Sequence, residues 1–491
     1  MVRNIALIAI GFTVWAGTTA ADAAAPAKPN ILFILADDMG YGDPGCFNPH
    51  SKIPTPNIDG LARAGMRFTD AHAPGAVCVP SRYGLLTGRY PFRNHGVRDP
   101  VKGALIEPGR PTIATVLRGQ GYATAIIGKW HLGFDCGDKF EGGVPLRGGP
   151  VDHGFDSFFG QHASLDIPPY FFIANDRCVE PPTATTQASS SPDWSPIQGK
   201  FWRAGKIAPD FKHIEALPTY TRKAVEYLEG RKNAPDAKPF FLYLALTAPH
   251  TPWVPMEEFR GKSMGGLYGD FVAQVDDAIG QTLAALDRAG LADNTLVFFT
   301  SDNGPVWYPA DVQKFGHDAE GGWRGMKGDI WEAGHRMPFV ARWPGKIKAG
   351  TTNPETICFT DMMATFAALA GATLPADAGE DSYNLLPALL GEPCASPLRE
   401  ATVMESSAGV LAIRQGPWKL IPHLGSGGFT KPATQKPKPG DPVGQLYDLS
   451  TDPGEMHNVY ADHPDLVGRL AAELTKCQRE PRSAPMLNAS R

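Results

Sequence analysis

Short apolar runs recur along the chain, and each ends abruptly in polar or charged residues. Pro29–Ala36 carries Ile31, Leu32, Phe33, Ile34 and Leu35 without a polar break, the pattern of a strand buried on both faces. Tyr122–Ile127, Phe240–Leu246 and Asn294–Thr300 repeat it, and Phe68–His72 and Pro338–Pro344 read as further strands. Between them the apolar spacing becomes helical. Thr55–Gly65 predicts a helix capped by Thr55, with Ile58, Leu61 and Ala62 inward. Tyr268–Arg288 lines up Val272, Val275, Ile279 and Leu283, which leaves Asp276 and Asp277 structural roles, and Thr360–Gly371 lines up Met363, Phe366 and Leu369.

Beyond about Pro375 the texture changes. Val410–Arg414, Trp418–Pro422 and Gln445–Asp448 alternate like antiparallel strands, around a Gly/Pro/Lys-rich loop at Gly425–Pro442. Thr451–Glu455 reads as a turn and Leu466–Lys476 as a last amphipathic helix. The expected fold is α/β: a large, mixed but mostly parallel sheet sandwiched by helices over 24–375, then a small C-terminal α+β subdomain over 376–491 with an antiparallel sheet. Asp166–Lys212, rich in Pro, Thr, Ser and Ala, has no clear period and is the kind of insertion that forms a binding loop or lid. Its Tyr170, Trp194 and Trp202 are candidates for stacking on a sugar, although packing explains each as readily.

The 491 residues carry a formal net charge of −5, slight for the size. That argues against nucleic acid as the main partner and leaves room for a local basic pocket. Residues 1–23 have the layout of a secretory signal, with Arg3, an apolar Ile5–Trp15 and Ala21-Asp22-Ala23 as a cleavage site. No other segment is long and apolar enough to span a bilayer, so the mature chain is expected to be exported, periplasmic or secreted, without a membrane span. Export makes disulfides possible among Cys46, Cys136, Cys178, Cys358, Cys394 and Cys477, and six cysteines allow fifteen pairings.

Candidate chemistry gathers at the strand ends. Asp37-Asp38 follows the first buried strand and Asp302-Asn303 the run to Thr300, where open α/β sheets bind ligands. Alone, an Asp-Asp pair is more often a solvated turn. Lys129 and His131 are two apart after Gly128, which would let the chain turn sharply; in extended geometry the two side chains point the same way. Alone, such a pair is common on surfaces. Cys78 opens a helical run beside Ser81 and Arg82, and a helix N-terminus favours an anionic reacting group. A buried cysteine beside a capping serine is the plainer reading of that stretch. His72 reads as structural.

Cys78-Val79-Pro80-Ser81-Arg82, continued through Leu85, Thr87, Gly88 and Arg89, resembles the signature of the type I sulfatases, a branch of the alkaline phosphatase superfamily. Gly121–His131 resembles the second sulfatase signature, Gly154–Gly160 is typical of the family, and Arg324-Gly325 with Lys327, Glu332 and Gly334 matches a further family run. The resemblance implies an alkaline-phosphatase-like fold and a sulfate ester hydrolase. In that family the cysteine is converted by a formylglycine-generating enzyme to formylglycine, whose hydrate attacks sulfur and forms a covalent sulfated intermediate. By the same resemblance Asp37, Asp38, Asp302, Asn303 and the modified Cys78 form an all-oxygen metal shell, suited to Ca²⁺ ahead of Mg²⁺. Lys129, His250, Lys327 and Ser164 (matched by its distance from Gly160) would bind the sulfate. Arg82 would steady the nucleophile, and His131 would take the proton that releases sulfate. Export and the aromatic-bearing insertion suggest a sulfated carbohydrate as substrate, with aryl sulfates also accepted. The rivals are a phosphate or phosphonate monoester hydrolase of the same superfamily and a non-catalytic binder of sulfated glycans.

Overall fold

The computed structural model describes Met1 and residues 28–486, apart from 97–98, 138, 141, 233, 235–237 and 393–396. Met1 aside, the expected leader lies outside the described residues, as does Cys394.

The strand Asn30–Asp37 is buried along its whole length because it runs in the middle of a ten-stranded sheet. From one edge the strands are Thr351–Cys358, Met66–His72, Arg336–Arg342, Thr295–Ser301, Asn30–Asp37, Phe240–Pro249, Ala123–Lys129, Ser157–Gln161, Ile173–Ala174 and Arg177–Cys178. From Thr295–Ser301 to Ser157–Gln161 all neighbours are parallel, so their carboxyl ends share one rim. Arg336–Arg342 runs antiparallel between two strands, which makes the sheet mixed. The helices Pro56–Arg63, Ala216–Arg231 and Gly266–Arg288 pack together, as do Cys78–Thr87, Ile113–Gly119 and Met362–Ala370. Phe366 of the latter group meets Phe33, Phe241 and Phe298 of the sheet.

Several local expectations change. Gly128 does not end its strand in a turn; it lies inside Ala123–Lys129 with φ 114°, and a Cβ there would fall 1.8 Å from the Ala245 carbonyl oxygen. Its lack of a side chain permits close approach of two strands. Thr55 precedes the helix Pro56–Arg63 but makes no side-chain cap. The Asp276 carboxylate caps it instead, accepting from the backbone N–H of Asn57 (3.1 Å) and Ile58 (2.8 Å). The insertion contains two short ribbons, Ile173–Ala174 with Arg177–Cys178 and Ala184–Thr186 with Gly205–Ile207. Among the described residues Cys46, Cys78, Cys178, Cys358 and Cys477 are free thiols.

A separate four-stranded antiparallel sheet, Thr402–Glu405, Leu411–Gln415, Trp418–Ile421 and Gln445–Asp448, follows in the C-terminal part, with the helix Pro464–Arg479 against it. A buried charge network ties it to the large sheet. Asp70, Glu332 and Glu455 face Arg336, Arg414 and Lys419: Arg336 Nε lies 2.8 Å from Glu332, Arg414 Nη1 2.5 Å from Asp70, and Lys419 Nζ 2.9 Å from Glu455. His72 and His335 join it through a 3.0 Å Nδ1–Nδ1 contact, which confirms a structural place for His72.

Candidate active site

The rim of the parallel strands brings the candidate residues together. Asp37 ends the first strand, Lys129 ends its own, His250 follows Pro249, and Asp302 and Asn303 follow Ser301. Cys78 is the first residue of the helix Cys78–Thr87, and its ligand atom lies within 4.8 Å of those of Asp37 and Asp302. Lys327 arrives on the loop that hydrogen-bonds Pro305. All are buried.

Three carboxylates face three cations. Lys129 Nζ lies 2.6 Å from Asp37 Oδ2, and Lys327 Nζ lies 2.7 Å from Asp38 Oδ1. Arg82 donates from Nε to Asp302 (2.9 Å) and from Nη1 to the Lys129 carbonyl (3.1 Å), so its fork is directed at the carboxylates. Burial opposes the charge on Asp37, but Lys129, followed by His250 and Arg82, outweighs it and holds the group well below the usual carboxylate range. Asp302 is pushed the other way by burial and by the adjacent Asp37 charge. Burial likewise pushes the Cys78 thiol up, against the pull of Lys129 and Lys327, so the unmodified thiol is a poor nucleophile.

The donor set fits a hard cation. Asp37 Oδ1 and Asn303 Oδ1 are buried without hydrogen-bond partners, while the Asn303 amide donates to Asp38 at 2.6 Å. Orphaned oxygens beside crowded carboxylates are what an oxygen-preferring ion satisfies. A second group, His72, Glu332 and His335, also has metal-ligand spacing. There Lys419 Nζ lies 3.1 Å from His335 Nε2 and Arg414 Nη1 3.0 Å from His72 Nε2, so protein cations already hold those nitrogens.

The two histidines differ. His250 Nδ1 lies 2.7 Å from the Thr251 carbonyl, which can only accept, so Nδ1 carries the hydrogen and Nε2 faces Asp38 Oδ2 at 3.6 Å. His131 is held well below its usual pKa by burial, then by Lys129 and Arg82, and is neutral. It does not continue the strand of Lys129: its φ is 59°, and Asp38 has φ 65°, so two site residues occupy the left-handed region. Ser164 Oγ is buried without a partner, between His162, whose carbonyl accepts from His131 N–H, and Asp166, which lies 3.9 Å from His250 Nδ1.

The aromatic candidates resolve toward packing. Tyr170 is fully buried, with its hydroxyl donating to the Arg203 carbonyl at 2.8 Å. Trp194 packs among Trp253, Trp307 and Phe315, and Trp202 stacks on His213. Sequence reasoning missed Asp166, which pairs with Arg203 and faces His250, and Thr247, whose buried hydroxyl has no partner. No local pattern marks either, since both acquire meaning from residues distant in sequence.

The family model for sulfatases matches residues 29–372. The chain is 36% identical over 486 residues to an N-acetylgalactosamine-6-O-sulfatase of Bacteroides thetaiotaomicron, across 90% of this chain and 92% of the relative. It belongs to the sulfatase family. Arylsulfatase A of Bos taurus is 35% identical over 497 residues, covering 93% of this sulfatase and 88% of the relative. Among solved structures, one from Bacteroides thetaiotaomicron, described in connection with the metabolism of multiple glycosaminoglycans, superposes with a TM-score of 0.81 at 34% identity over 92% of this sulfatase and 100% of that chain. This sulfatase is therefore a sulfate ester hydrolase with the alkaline-phosphatase-like fold. Among the described residues no helix is long and apolar enough to cross a membrane.

Proposed function

We propose that this sulfatase is an exported enzyme that removes sulfate from a sulfated carbohydrate, accepts aryl sulfates, and works with one Ca²⁺ ion and a formylglycine made from Cys78 by a formylglycine-generating enzyme. The observation that carries the reading is the convergence of Cys78, three carboxylates, Lys129, Lys327 and two histidines in one buried pocket. Kinship with an N-acetylgalactosamine-6-O-sulfatase makes a 6-sulfated amino sugar the first substrate to try.

Asp37, Asp38, Asp302 and Asn303, with the oxygen that replaces sulfur at position 78, would hold the cation. When bound, the ion and the formylglycine hydrate supply charge neutralisation and the attacking hydroxyl. The chain's own residues do the rest. Carboxylates turned toward a cation release Lys129 and Lys327 to donate to the sulfate oxygens, where buried, fixed donors stabilise shifting charge most. Three negative and three positive side chains cancel, so a divalent ion leaves the pocket positive and matched to an anionic ester. His250, with its Nδ1 hydrogen committed to Thr251, presents Nε2; when the ring carries a second proton there, beside the Asp38 carboxylate, it passes that proton to the leaving oxygen and returns to the neutral form. His131, neutral, accepts the proton whose removal frees sulfate. Arg82 fixes Asp302 and the Lys129 backbone, and Ser164 offers a hydroxyl to the sulfate.

The deciding experiment is the mass of the peptide containing Cys78, from protein made together with a formylglycine-generating enzyme, alongside a panel of sulfated sugars. An aldehyde at position 78 and turnover of at least one sugar sulfate are expected. An intact thiol in protein that still cleaves sulfate esters would refute the formylglycine reading.

A further inference from the structure

The insertion over 166–212 grips the loop that carries His250. The strand Phe240–Pro249 ends one residue before it, and Pro249 and Pro252 leave this stretch short of backbone donors. Its orientation is fixed from outside. Thr251 Oγ1 donates to the Gly199 carbonyl at 2.9 Å, and Trp253 N–H donates to the same oxygen at 2.7 Å. A carbonyl oxygen has two lone pairs, and the Gly199 oxygen uses both on the residues either side of Pro252. Between those two anchors the Thr251 carbonyl accepts the Nδ1 hydrogen of His250 at 2.7 Å.

Gly199 is itself held. Its φ is 67°, and a Cβ there would fall 2.5 Å from Ser191 Oγ and 2.8 Å from Trp194 Cδ1, so a side chain at this turn would force a rearrangement. Ser191 Oγ also accepts from Lys200 N–H at 2.9 Å. Gln198 is buried, and its Nε2 donates to the Val306 carbonyl at 3.0 Å and to Asp311 Oδ2 at 2.8 Å. Val306 lies three residues past Asn303, and Asp311 belongs to the helix Pro309–Phe315. The Trp194 ring meets Trp253 edge-on at 4.8 Å and stacks on Phe315 at 5.6 Å. The segment 191–200 therefore bridges the loop of His250 and the loop that continues from Asp302 and Asn303.

We infer that residues 191–200 are a clamp for His250, and that Gln198, Gly199 and Thr251 are positioning residues for its ring. The inference rests on the acid role given to His250 above. A proton passes to the leaving oxygen only over a hydrogen-bond distance, so a ring free to turn is in line less often. Without the two bonds to Gly199 the Thr251 carbonyl is free to rotate, the Nδ1 hydrogen loses its acceptor, and Nε2 loses its aim. Asp166 does not stand in for that acceptor, since its Oδ1 lies 3.9 Å from Nδ1, beyond hydrogen-bond reach.

The test is the dependence of kcat on the leaving group. Phenyl sulfate expels a basic phenolate that needs a proton, and nitrophenyl sulfate expels a stable anion that hardly does. The ratio of the two kcat values is taken on one preparation, so the matured and folded fractions cancel. Thr251→Val removes the hydroxyl and keeps the shape. It is expected to lower the phenyl-to-nitrophenyl ratio by about ten-fold, while Thr251→Ser, which keeps the hydroxyl, holds the wild-type ratio. Gln198→Ala is expected to lower the ratio in the same direction, and it serves if Thr251→Val does not fold. The clamp is overturned if His250→Ala lowers the ratio but Thr251→Val and Gln198→Ala do not, or if Thr251→Ser falls as far as Thr251→Val. If His250→Ala itself leaves the ratio at the wild-type value, the acid role of His250 is overturned, and the clamp with it.

Discussion

The proton inventory at His250 leads to a measurable asymmetry. Because its Nδ1 hydrogen is held by the Thr251 carbonyl, only Nε2 can serve the leaving oxygen. A sugar alkoxide needs that proton and a nitrophenolate hardly does. His250→Ala is therefore expected to lower kcat for sugar sulfates by about 10²–10³ and for a nitrophenyl sulfate far less, as read from initial rates on both. A second outcome concerns the carboxylates. Burial and the Asp37 charge push Asp302 up, while Lys129 leads the cations that hold Asp37 down, so the crowded pair is one a cation would relieve. Treatment with a chelator is expected to abolish activity and lower the Tm, and Ca²⁺ to restore both more fully than Mg²⁺. Cys78→Ala is expected to keep the Tm and lose turnover, since the position packs as a small buried group and its chemistry is gone. Circular dichroism melts with rate assays check this.

Among the elements, the helix Pro56–Arg63 depends on a cap borrowed from Gly266–Arg288. Asp276→Ala removes the acceptor for two backbone N–H groups and is expected to cost about 2 kcal/mol in denaturant unfolding, with kcat of the folded fraction preserved. That cap shows where the sequence was readable and where it was not. The helix and its inward Ile58, Leu61 and Ala62 follow from spacing, which is a local property. Its cap does not, because Thr55 has the right chemistry but directs its hydroxyl to Asp59, while the working carboxylate comes from another element. The central strands were legible because burial on both faces writes an unbroken apolar run. Thr351–Cys358 was not: it is an edge strand, partly exposed, with Pro354 inside it, and its sequence resembles a loop. Asp37, Asp38, Asp302 and Asn303 could be found because each follows such a run. Asp166 could not, since its approach to His250 depends on how two loops distant in sequence meet.

At the scale of the whole molecule, the network linking the large sheet to the C-terminal one sets an acid limit. Burial depresses His72, and burial followed by Lys419 depresses His335, both below their usual values. Asp70, Glu332 and Glu455 surround them on the acidic side, and Arg336, Arg414 and Lys419 on the basic side. The unfolded chain takes up both imidazole protons near pH 6.5, whereas the fold resists until lower pH. The histidines' share of the stability is then full above about pH 6.5 and falls as the pH drops below it; Glu455, which burial pushes up to about 7, offsets part of that fall. A series of melts between pH 8 and pH 5 should show that fall, and Lys419→Met, which strands Glu332 and Glu455, should lower stability by about 3–5 kcal/mol at pH 7. The docking of the C-terminal sheet, which also bonds Ala76 to Gly328 and Gly328 to Ser407, has a further consequence, one of timing. Position 78 leaves the ribosome early, and the strand bonded to its loop leaves hundreds of residues later. On the maturation proposed above, a modifying enzyme would have that interval to reach the cysteine. Once residues 402–421 have emerged and docked, the loop leading to the thiol is bonded in place. Chains held short of that point should be converted in vitro, and completed folded chains should refuse conversion.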